Sequence, residues 1–232
     1  MRAPEQGSPV AGSDGGRRPQ CQQPASVVYK KGVIHGKRGG HKLKLDLARP
    51  KDAGQVSLPP LIFIHYGGWQ DIGRHQFCGE LKEAAQQGFV AATIDHRLTD
   101  KEDESGKPLY PWPACFRDTV AAVRFLRAHA EQYNIDKNHI GITGHSSGGH
   151  LALMLATASD RLKNKDLSVW PNQSSAVQAA VGLSTPTDLK PFHKVDVTRP
   201  ILEDLLGGPP EDRPDIYRAA SPIHHIHPVF PS

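Results

Sequence analysis

Short apolar runs recur along this chain, and a polar or amphipathic stretch separates each run from the next. Residues 61–64 read Leu-Ile-Phe-Ile. A continuous run of this length is typical of a strand that helices cover on both faces of a parallel sheet. Similar runs lie at 89–94, 140–143 and 177–183. The pattern therefore predicts a buried strand at each of these positions.

The stretches between the strands have helical periodicity. In residues 114–133 the apolar side chains of Val120, Val123, Phe125 and Leu126 recur at helical spacing. Shorter helices are predicted at about 77–87, 149–158 and 201–206. Because strand and helix alternate, the economical architecture is a doubly wound, mostly parallel α/β sheet.

A different pattern precedes the first buried run. Residues 27–34 and 42–47 alternate apolar with polar side chains, and a Gly-Lys-Arg-Gly-Gly segment separates them. Such alternation predicts an antiparallel hairpin with one face in water. We expect its two strands to lie at the edge of the sheet.

Length and composition limit the possible classes. The 232 residues suit one α/β domain, which we place at residues 25–232. Residues 1–24 are almost devoid of apolar side chains, so we expect them to be disordered. The net charge of +4 comes from scattered Lys and Arg, which argues against a nucleic-acid surface. No segment has the apolar length of a membrane span or a secretory signal, so a soluble chain without a membrane partner is expected, its compartment undetermined.

Metal and disulfide chemistry is not indicated. Cys21, Cys78 and Cys115 lie far apart in the sequence and form no Cys-x-x-Cys pair. The histidines at 224, 225 and 227 stand next to proline-rich sequence and are interpreted as solvated polar residues. We expect neither a metal nor an organic cofactor.

The segment with the clearest chemical meaning surrounds Ser146. A β-branched run leads into Gly144-His145-Ser146-Ser147-Gly148, and an apolar helical run follows at once. A serine at so sharp a strand-to-helix turn is a nucleophile elbow, in which glycines two residues away avoid collisions with the strand or the helix. The alternatives are a glycine-rich turn that only packs, or one that cradles a phosphate.

A nucleophilic serine needs partners. A base must take its proton, a carboxylate must orient that base, and an oxyanion hole must hold the charge that develops on the substrate oxygen. The Ser147 N–H is one expected donor to that oxygen. We expect the second donor in the loop after the strand at 61–64, where Gly67 and Gly68 let the backbone approach the substrate.

At this point the chain resembles the α/β-hydrolase family, and within it the bifunctional feruloyl and acetyl-xylan esterases and the hormone-sensitive-lipase-like carboxylesterases. The resemblance covers about residues 59–225. The matching segments are His-Tyr-Gly-Gly-Trp at 65–69, Asp-His-Arg-Leu at 95–98, the elbow at 144–148 and Ala-Ser-Pro-Ile at 220–223. It implies a serine hydrolase that acts through an acyl-enzyme on Ser146, with a small-molecule ester of a short acyl group or a carbohydrate as its substrate.

The chain departs from the family pattern in two places. Tyr66 replaces the first glycine of the oxyanion loop. In the family the Ser-Pro-Ile segment precedes two strands that carry the triad acid and histidine, whereas this sequence stops at Ser232. We therefore expect an α/β-hydrolase sheet that lacks its last strands, with an exposed sheet edge through which the chain could self-associate.

The missing partners leave several functions open. Asp188 and His224 are the candidate substitutes for the triad acid and base, with the histidines at 193, 225 and 227 as further candidates. The alternatives are an impaired or non-catalytic remnant of the fold, or a peptidase or acyltransferase of the same fold.

Three neighbouring side chains are interpreted as structural. His65 is expected to cap the oxyanion loop through a ring hydrogen bond, and Asp95 is expected to form an ion pair with Arg97. Trp69, like Trp112, is expected in the pocket wall or the core.

Overall fold

The computed structural model describes residues 26–38, 40–158 and 169–226 and contains a six-stranded sheet in the order β1-β2-β4-β3-β5-β6. Strands β3 to β6 run parallel, and β1 and β2 join them as antiparallel neighbours. The mostly parallel α/β sheet is therefore confirmed. The strands are β1 (Val27–Arg38), β2 (His41–Pro50), β3 (Pro60–Ile64), β4 (Val90–Ile94), β5 (Gly141–His145) and β6 (Ala179–Leu183).

Helices follow the strands in the predicted alternation. The segment predicted as one helix at 114–133 forms two helices, which are separated at His129. There the imidazole Nδ1 and the backbone N–H both contact the Phe125 carbonyl oxygen. The α-helices are α1 (Cys78–Gln86), α2 (Ala114–Ala128), α3 (Ala130–Tyr133), α4 (Ser147–Ala158), α5 (Leu189–Phe192), α6 (Arg199–Leu206) and α7 (Pro214–Ala219). Single 3₁₀ turns lie at Arg74–Phe77 and Pro222–His225. None of the described helices has the length and apolar character needed to cross a membrane.

The N-terminal hairpin has the predicted antiparallel pairing, but the expectation that both strands are edges is wrong. β1 is an edge strand, whereas β2 lies between β1 and β4. Of the three polar side chains that suggested a wet face on β2, Lys42 is exposed and Lys44 is partly exposed, whereas Asp46 is 2% exposed. Its carboxylate accepts hydrogen bonds from the Gly32 N–H at 2.6 Å and from the Arg74 guanidinium at 3.1 Å. Partners distant in sequence thus allow a carboxylate inside the sheet.

The two faces of the sheet are covered unequally. The larger apolar cluster lies on one face, where α4 packs against β3, β5 and β6, and α2 packs against α4 and β1. On the other face α1 covers a smaller cluster that includes Phe63 and Ala91. This second cover does not extend to β6, where Val181 and Leu183 are each 54% exposed.

β6 is one edge of the described sheet. Among the residues that the structure describes, only β5 pairs with it. Self-association through this edge stays a prediction. The expected disorder of residues 1–24 concerns residues outside the described part of the chain.

Candidate active site

Ser146 lies at the turn between β5 and α4, as the elbow pattern predicts. Its φ of 52° is in the left-handed region, which a side chain rarely adopts. Two backbone hydrogen bonds hold the turn: the Ser146 N–H donates to the Leu183 carbonyl at 2.8 Å, and the His150 N–H donates to the Ser146 carbonyl at 2.9 Å. The strained residue is thus fixed between β6 and the first turn of α4.

The flanking glycines are required by contact with backbone. A Cβ on Gly144 would lie 2.4 Å from the carbonyl carbon of Gly148. A Cβ on Gly148 would lie 2.1 Å from the Ile64 carbonyl oxygen, and one on Gly149 would lie 2.0 Å from the Thr185 hydroxyl oxygen. The steric reason predicted for Gly144 and Gly148 is confirmed, and Gly149 adds a third close approach that the five-residue pattern did not include.

The loop after β3 brings Gly67 and Gly68 to the same end of the sheet. Their φ angles are 112° and 61°, and a Cβ on Gly67 would lie 2.3 Å from the Asp71 carbonyl oxygen. The Gly67 carbonyl accepts hydrogen bonds from the backbone N–H groups of Gln70 at 3.0 Å and Asp71 at 3.1 Å. This turn fixes the peptide groups predicted to face the substrate oxygen.

His65 caps the loop as expected: its Nδ1 lies 2.9 Å from the Tyr66 carbonyl oxygen and donates to it. The ring stacks on His96, with centroids 4.2 Å apart and planes inclined by 11°. Burial lowers the pKa of His65, and burial together with the neighbouring His65 ring lowers the pKa of His96 well below its ordinary value. Two neutral, stacked imidazoles therefore support the oxyanion loop through the contact of His65 with the Tyr66 carbonyl.

The predicted Asp95–Arg97 ion pair is wrong. Asp95 pairs with Arg74, whose Nη1 lies 2.8 Å from Oδ2. Arg97 turns instead to Asp118 on α2, donating to its carboxylate from Nε at 2.8 Å and from Nη2 at 2.9 Å. Two residues that stand close in sequence thus anchor the loop after β4 to different elements.

A cavity of about 220 Å³ adjoins Ser146, and we call it the Ser146 cavity. Gly68 lies in its wall, which joins the oxyanion loop to the elbow. Trp69 also lines it and is 5% exposed, so the expectation for this side chain is confirmed. The remaining lining residues are Ser184, Pro186, Leu189, Phe192, Thr198, Ile201 and Leu202.

Ser147 is the first residue of α4, and its side chain is 1% exposed. Its N–H therefore belongs to the N-terminus of a 12-residue helix, where the aligned peptide dipoles leave about half a positive charge. A negative substrate oxygen is favoured at such a position.

Asp188 and His224 lie together but apart from Ser146. Both line a second cavity, of about 390 Å³, beside α7, and Ser146 is not in its wall. Asp188 is the N-cap of α5, where its Oδ1 accepts from the Lys190 N–H at 3.1 Å. His224 is exposed. Their membership of a triad stays a prediction.

The other candidate histidines are engaged elsewhere. The His193 Nε2 lies 2.7 Å from Glu203 Oε1, and the His225 Nε2 lies 2.9 Å from the Ala219 carbonyl oxygen. His227 is outside the described residues. Within the described part of the chain, no imidazole hydrogen bonds to the Ser146 hydroxyl. In the same residues, no group of three or more His, Cys, Asp or Glu side chains could hold a metal.

His150 is a structural residue of the site that the sequence patterns did not single out. It is fully buried one turn after Ser146, and its Nε2 donates to the Ala220 carbonyl at 2.6 Å. Its ring meets Trp69 edge-on at 5.1 Å and Trp112 at 5.7 Å. The signal for it was one polar side chain in an otherwise apolar helical run.

Burial lowers the pKa of His150 and of His35 from 6.5 to about 4. Between those pH values the unfolded chain binds protons that the folded chain excludes, so the free energy of unfolding falls as the pH falls from 6.5 to 4. Each histidine contributes at most about 1.4 kcal/mol per pH unit. In urea unfolding at pH 7 and pH 5, we expect His35→Gln to weaken this pH dependence. An equal pH dependence in the variant and the unsubstituted chain would contradict the assignment.

Comparison with known proteins shows that the chain is similar to esterases. The family model BD-FAE matches residues 45–232. Esterase LipC of Mycobacterium tuberculosis is 31% identical over 229 residues, a match that covers 97% of this chain and 52% of LipC. Esterase LipQ of the same organism is 30% identical over 202 residues, covering 83% of this chain and 44% of LipQ. The chain thus spans about half the length of these curated relatives.

Comparison with solved structures shows a similar fold in known esterases. The propionate-bound esterase 2 of Thermogutta terrifontis superposes with a TM-score of 0.65 at 26% identity, covering 88% of this chain and 68% of that chain. Its sarin-phosphonylated form gives a TM-score of 0.68 at 25% identity, covering 88% and 70%. The α/β-hydrolase fold expected from the sequence is confirmed.

Proposed function

The chain belongs to the BD-FAE family, and we propose that it hydrolyses carboxylic esters through an acyl-enzyme on Ser146. The observation that carries the proposal is the position of Ser146. It is held at a strained turn, beside a mainly apolar cavity whose wall also contains Gly68. The names of the relatives support the same reaction class, because LipC and LipQ are esterases.

The first half of the reaction forms the acyl-enzyme. The Ser146 oxygen attacks the ester carbonyl carbon and passes its proton to a base. Asp188 and His224, the candidates from the sequence, line a different cavity from Ser146, so the proton transfer is assigned to neither of them. The carbonyl π electrons move onto oxygen, and the resulting oxyanion accepts hydrogen bonds from the N–H groups of Gly68 and Ser147, with Gly67 close by. When the C–O bond to the alcohol breaks, the alcohol leaves with the proton from the base.

The second half repeats these steps with water in place of serine. Water attacks the acyl carbon, the same N–H groups hold the oxyanion, and Ser146 leaves with a proton. Both tetrahedral intermediates need the same donors, so the rigidity of the loop supports both steps. Removing one oxyanion donor typically lowers turnover by about 10² to 10³-fold.

The shape and polarity of the Ser146 cavity indicate the substrate. Its lining is mainly apolar and its volume is about 220 Å³, which suits a short, uncharged acyl group. The Thermogutta terrifontis esterase 2 has been solved with propionate and with butyrate bound, which supports short acyl groups here. For the alcohol we propose a small or carbohydrate-linked group, as the family resemblance implies.

A fluorophosphonate probe tests the proposed nucleophile, because it reacts with an activated serine and leaves a mass tag that peptide mass spectrometry locates. We expect the tag on Ser146. Ser147→Ala should label as the unsubstituted chain does, since the Ser147 side chain is buried, and Ser146→Ala should not label. A tag on another serine in the folded protein, or no tag at all, would refute the assignment.

A further inference from the structure

We propose that Ile201 on α6 sets the length of the acyl group that this chain accepts. The proposal rests on the proposed ester hydrolysis, because it assigns the Ser146 cavity to the acyl side of the substrate. It adds a residue that no part of the elbow or oxyanion patterns contains.

Ile201 lies directly over the proposed oxyanion loop. A Cβ built on Gly68 would lie 3.4 Å from Ile201 Cγ2 and 3.5 Å from Cδ1. Ile201 also lines the cavity that Ser146 and Gly68 share. A substrate carbonyl bonded to the Ser146 oxygen, with its own oxygen turned to the Gly68 N–H, therefore places the next carbon atoms of the acyl chain beside Ile201.

The helix that carries Ile201 is fixed at several points, so the side chain is a wall of defined position. The Gln70 side-chain amide donates to Asp204 at 2.8 Å, which ties α6 to the oxyanion loop. Glu203 pairs with His193, which ties α6 to the end of α5. At the C-terminal end of α6, the Leu205 carbonyl accepts from the Trp112 N–H at 2.7 Å.

The two acidic residues of this helix segment point to partners outside the cavity. Glu203 and Asp204 are engaged by His193 and Gln70, and none of the described side chains that line the cavity carries a charge. An uncharged alkyl chain thus meets mainly apolar surface. A carboxylate at the far end of the acyl group would be desolvated without a partner, so dicarboxylic half-esters should be rejected.

The volume sets the expected length. A cavity of about 150 Å³ accommodates the six carbon atoms of benzene, so the 220 Å³ here holds about nine non-hydrogen atoms, enough for an acyl group of about six carbon atoms together with the two ester oxygens. Ile201→Ala deletes the outer carbon atoms of the side chain and extends the space by about two methylene groups. Ile201→Phe adds a ring at the same place and shortens the space.

The test measures kcat/KM for p-nitrophenyl esters from acetate to octanoate. Each methylene newly buried contributes about a fourfold gain. We therefore expect Ile201→Ala to raise the octanoate-to-butanoate ratio of kcat/KM by about 15-fold, and Ile201→Phe to lower the hexanoate-to-acetate ratio. Ile223→Ala is the matched control, because Ile223 is 48% exposed and outside the cavity wall, and its profile should equal that of the unsubstituted chain.

Two outcomes would overturn the role of Ile201. One is a parallel change at every acyl length. The other is a shift that follows the alcohol, seen with ethyl, butyl and hexyl acetate, while the acyl profile stays fixed. The second outcome would assign the cavity to the leaving group.

A binding measurement separates this inference from the proposed reaction. Linear carboxylates from acetate to octanoate are titrated calorimetrically into Ser146→Ala and into Ser146→Ala combined with Ile201→Ala. A preference that moves to longer carboxylates in the double variant supports the inference even if no ester is turned over, and that absence of turnover would refute only the proposed function. Equal profiles, or no binding of any carboxylate, would refute the role of Ile201.

Discussion

The Ser146→Ala variant is expected to lose hydrolysis of p-nitrophenyl acetate by about 10⁴-fold or more relative to the unsubstituted chain. The substitution removes the attacking oxygen and leaves the fold nearly intact, since the left-handed turn depends on backbone hydrogen bonds to Leu183 and His150. Circular dichroism and the urea midpoint should therefore match those of the parent. A folded variant that keeps its turnover would show that Ser146 is not the nucleophile.

The same assay tests the proposed partners of Ser146. If Asp188 and His224 complete the triad, alanine at either position should lower turnover by a factor comparable to that of Ser146→Ala. If Asp188 acts only as the N-cap of α5, its substitution should instead cost about 1 kcal/mol of stability and leave turnover unchanged. His193→Ala and His225→Ala serve as comparisons, because their side chains contact Glu203 and the Ala219 carbonyl.

The elbow could be predicted from sequence because its determinants are local. The apolar run of β5, the glycines at 144 and 148 and the helical run of α4 are contiguous, and the sharpness of the turn dictates the glycines. The backbone atoms that exclude a Cβ at Gly148 nevertheless belong to β3. The requirement for glycine could be predicted from the sequence, whereas the backbone atoms that impose it at Gly148 lie on another strand of the sheet.

Pairings between distant segments were less predictable. The alternation in β2 suggested a wet face because Lys42, Lys44 and Asp46 carry charges that normally face water. Lys42 does face water, whereas Gly32 and Arg74 satisfy Asp46 inside the protein. Charge alone could not decide whether Asp95 would pair with Arg97 or with Arg74. The unexpected burial of Asp46 and the wrong partner for Asp95 both arose where a carboxylate finds its partner on another element.

The residues that line the Ser146 cavity were also only partly predictable from the sequence. Residues 201–206 were predicted to be helical, and α6 contains them. Nothing in their periodicity indicates that Ile201 lies over Gly68, because the strand order of the sheet and the loop after β6 create that contact.

The largest loss of stability is expected from Asp118→Ala, which we predict to lower the free energy of unfolding by about 3 to 5 kcal/mol. The Asp118 side chain has no solvent exposure, and its carboxylate accepts from the backbone N–H, Nε and Nη2 of Arg97 at 2.8 to 2.9 Å. Burial raises the pKa of Asp118, and the hydrogen bonds and charge of Arg97 oppose that shift. Alanine would remove the carboxylate while the Arg97 guanidinium, in a side chain only 13% exposed, stays in the interior.

The loss should extend beyond α2, because Arg97 directly follows His96, which stacks on His65 behind the oxyanion loop. Urea unfolding measures the effect, and Asp196→Ala is the matched control. Asp196 forms an ion pair with Arg199 in which the side chains are 90% and 46% exposed, so water replaces the lost partner and the midpoint should scarcely change. Asp118→Asn keeps one oxygen acceptor for Arg97, replaces the other with an N–H donor and loses the charge, and its midpoint should lie between those of the parent and Asp118→Ala. If all the variants unfold at the same urea concentration, the Arg97–Asp118 pair is not what holds the loop after β4 to α2.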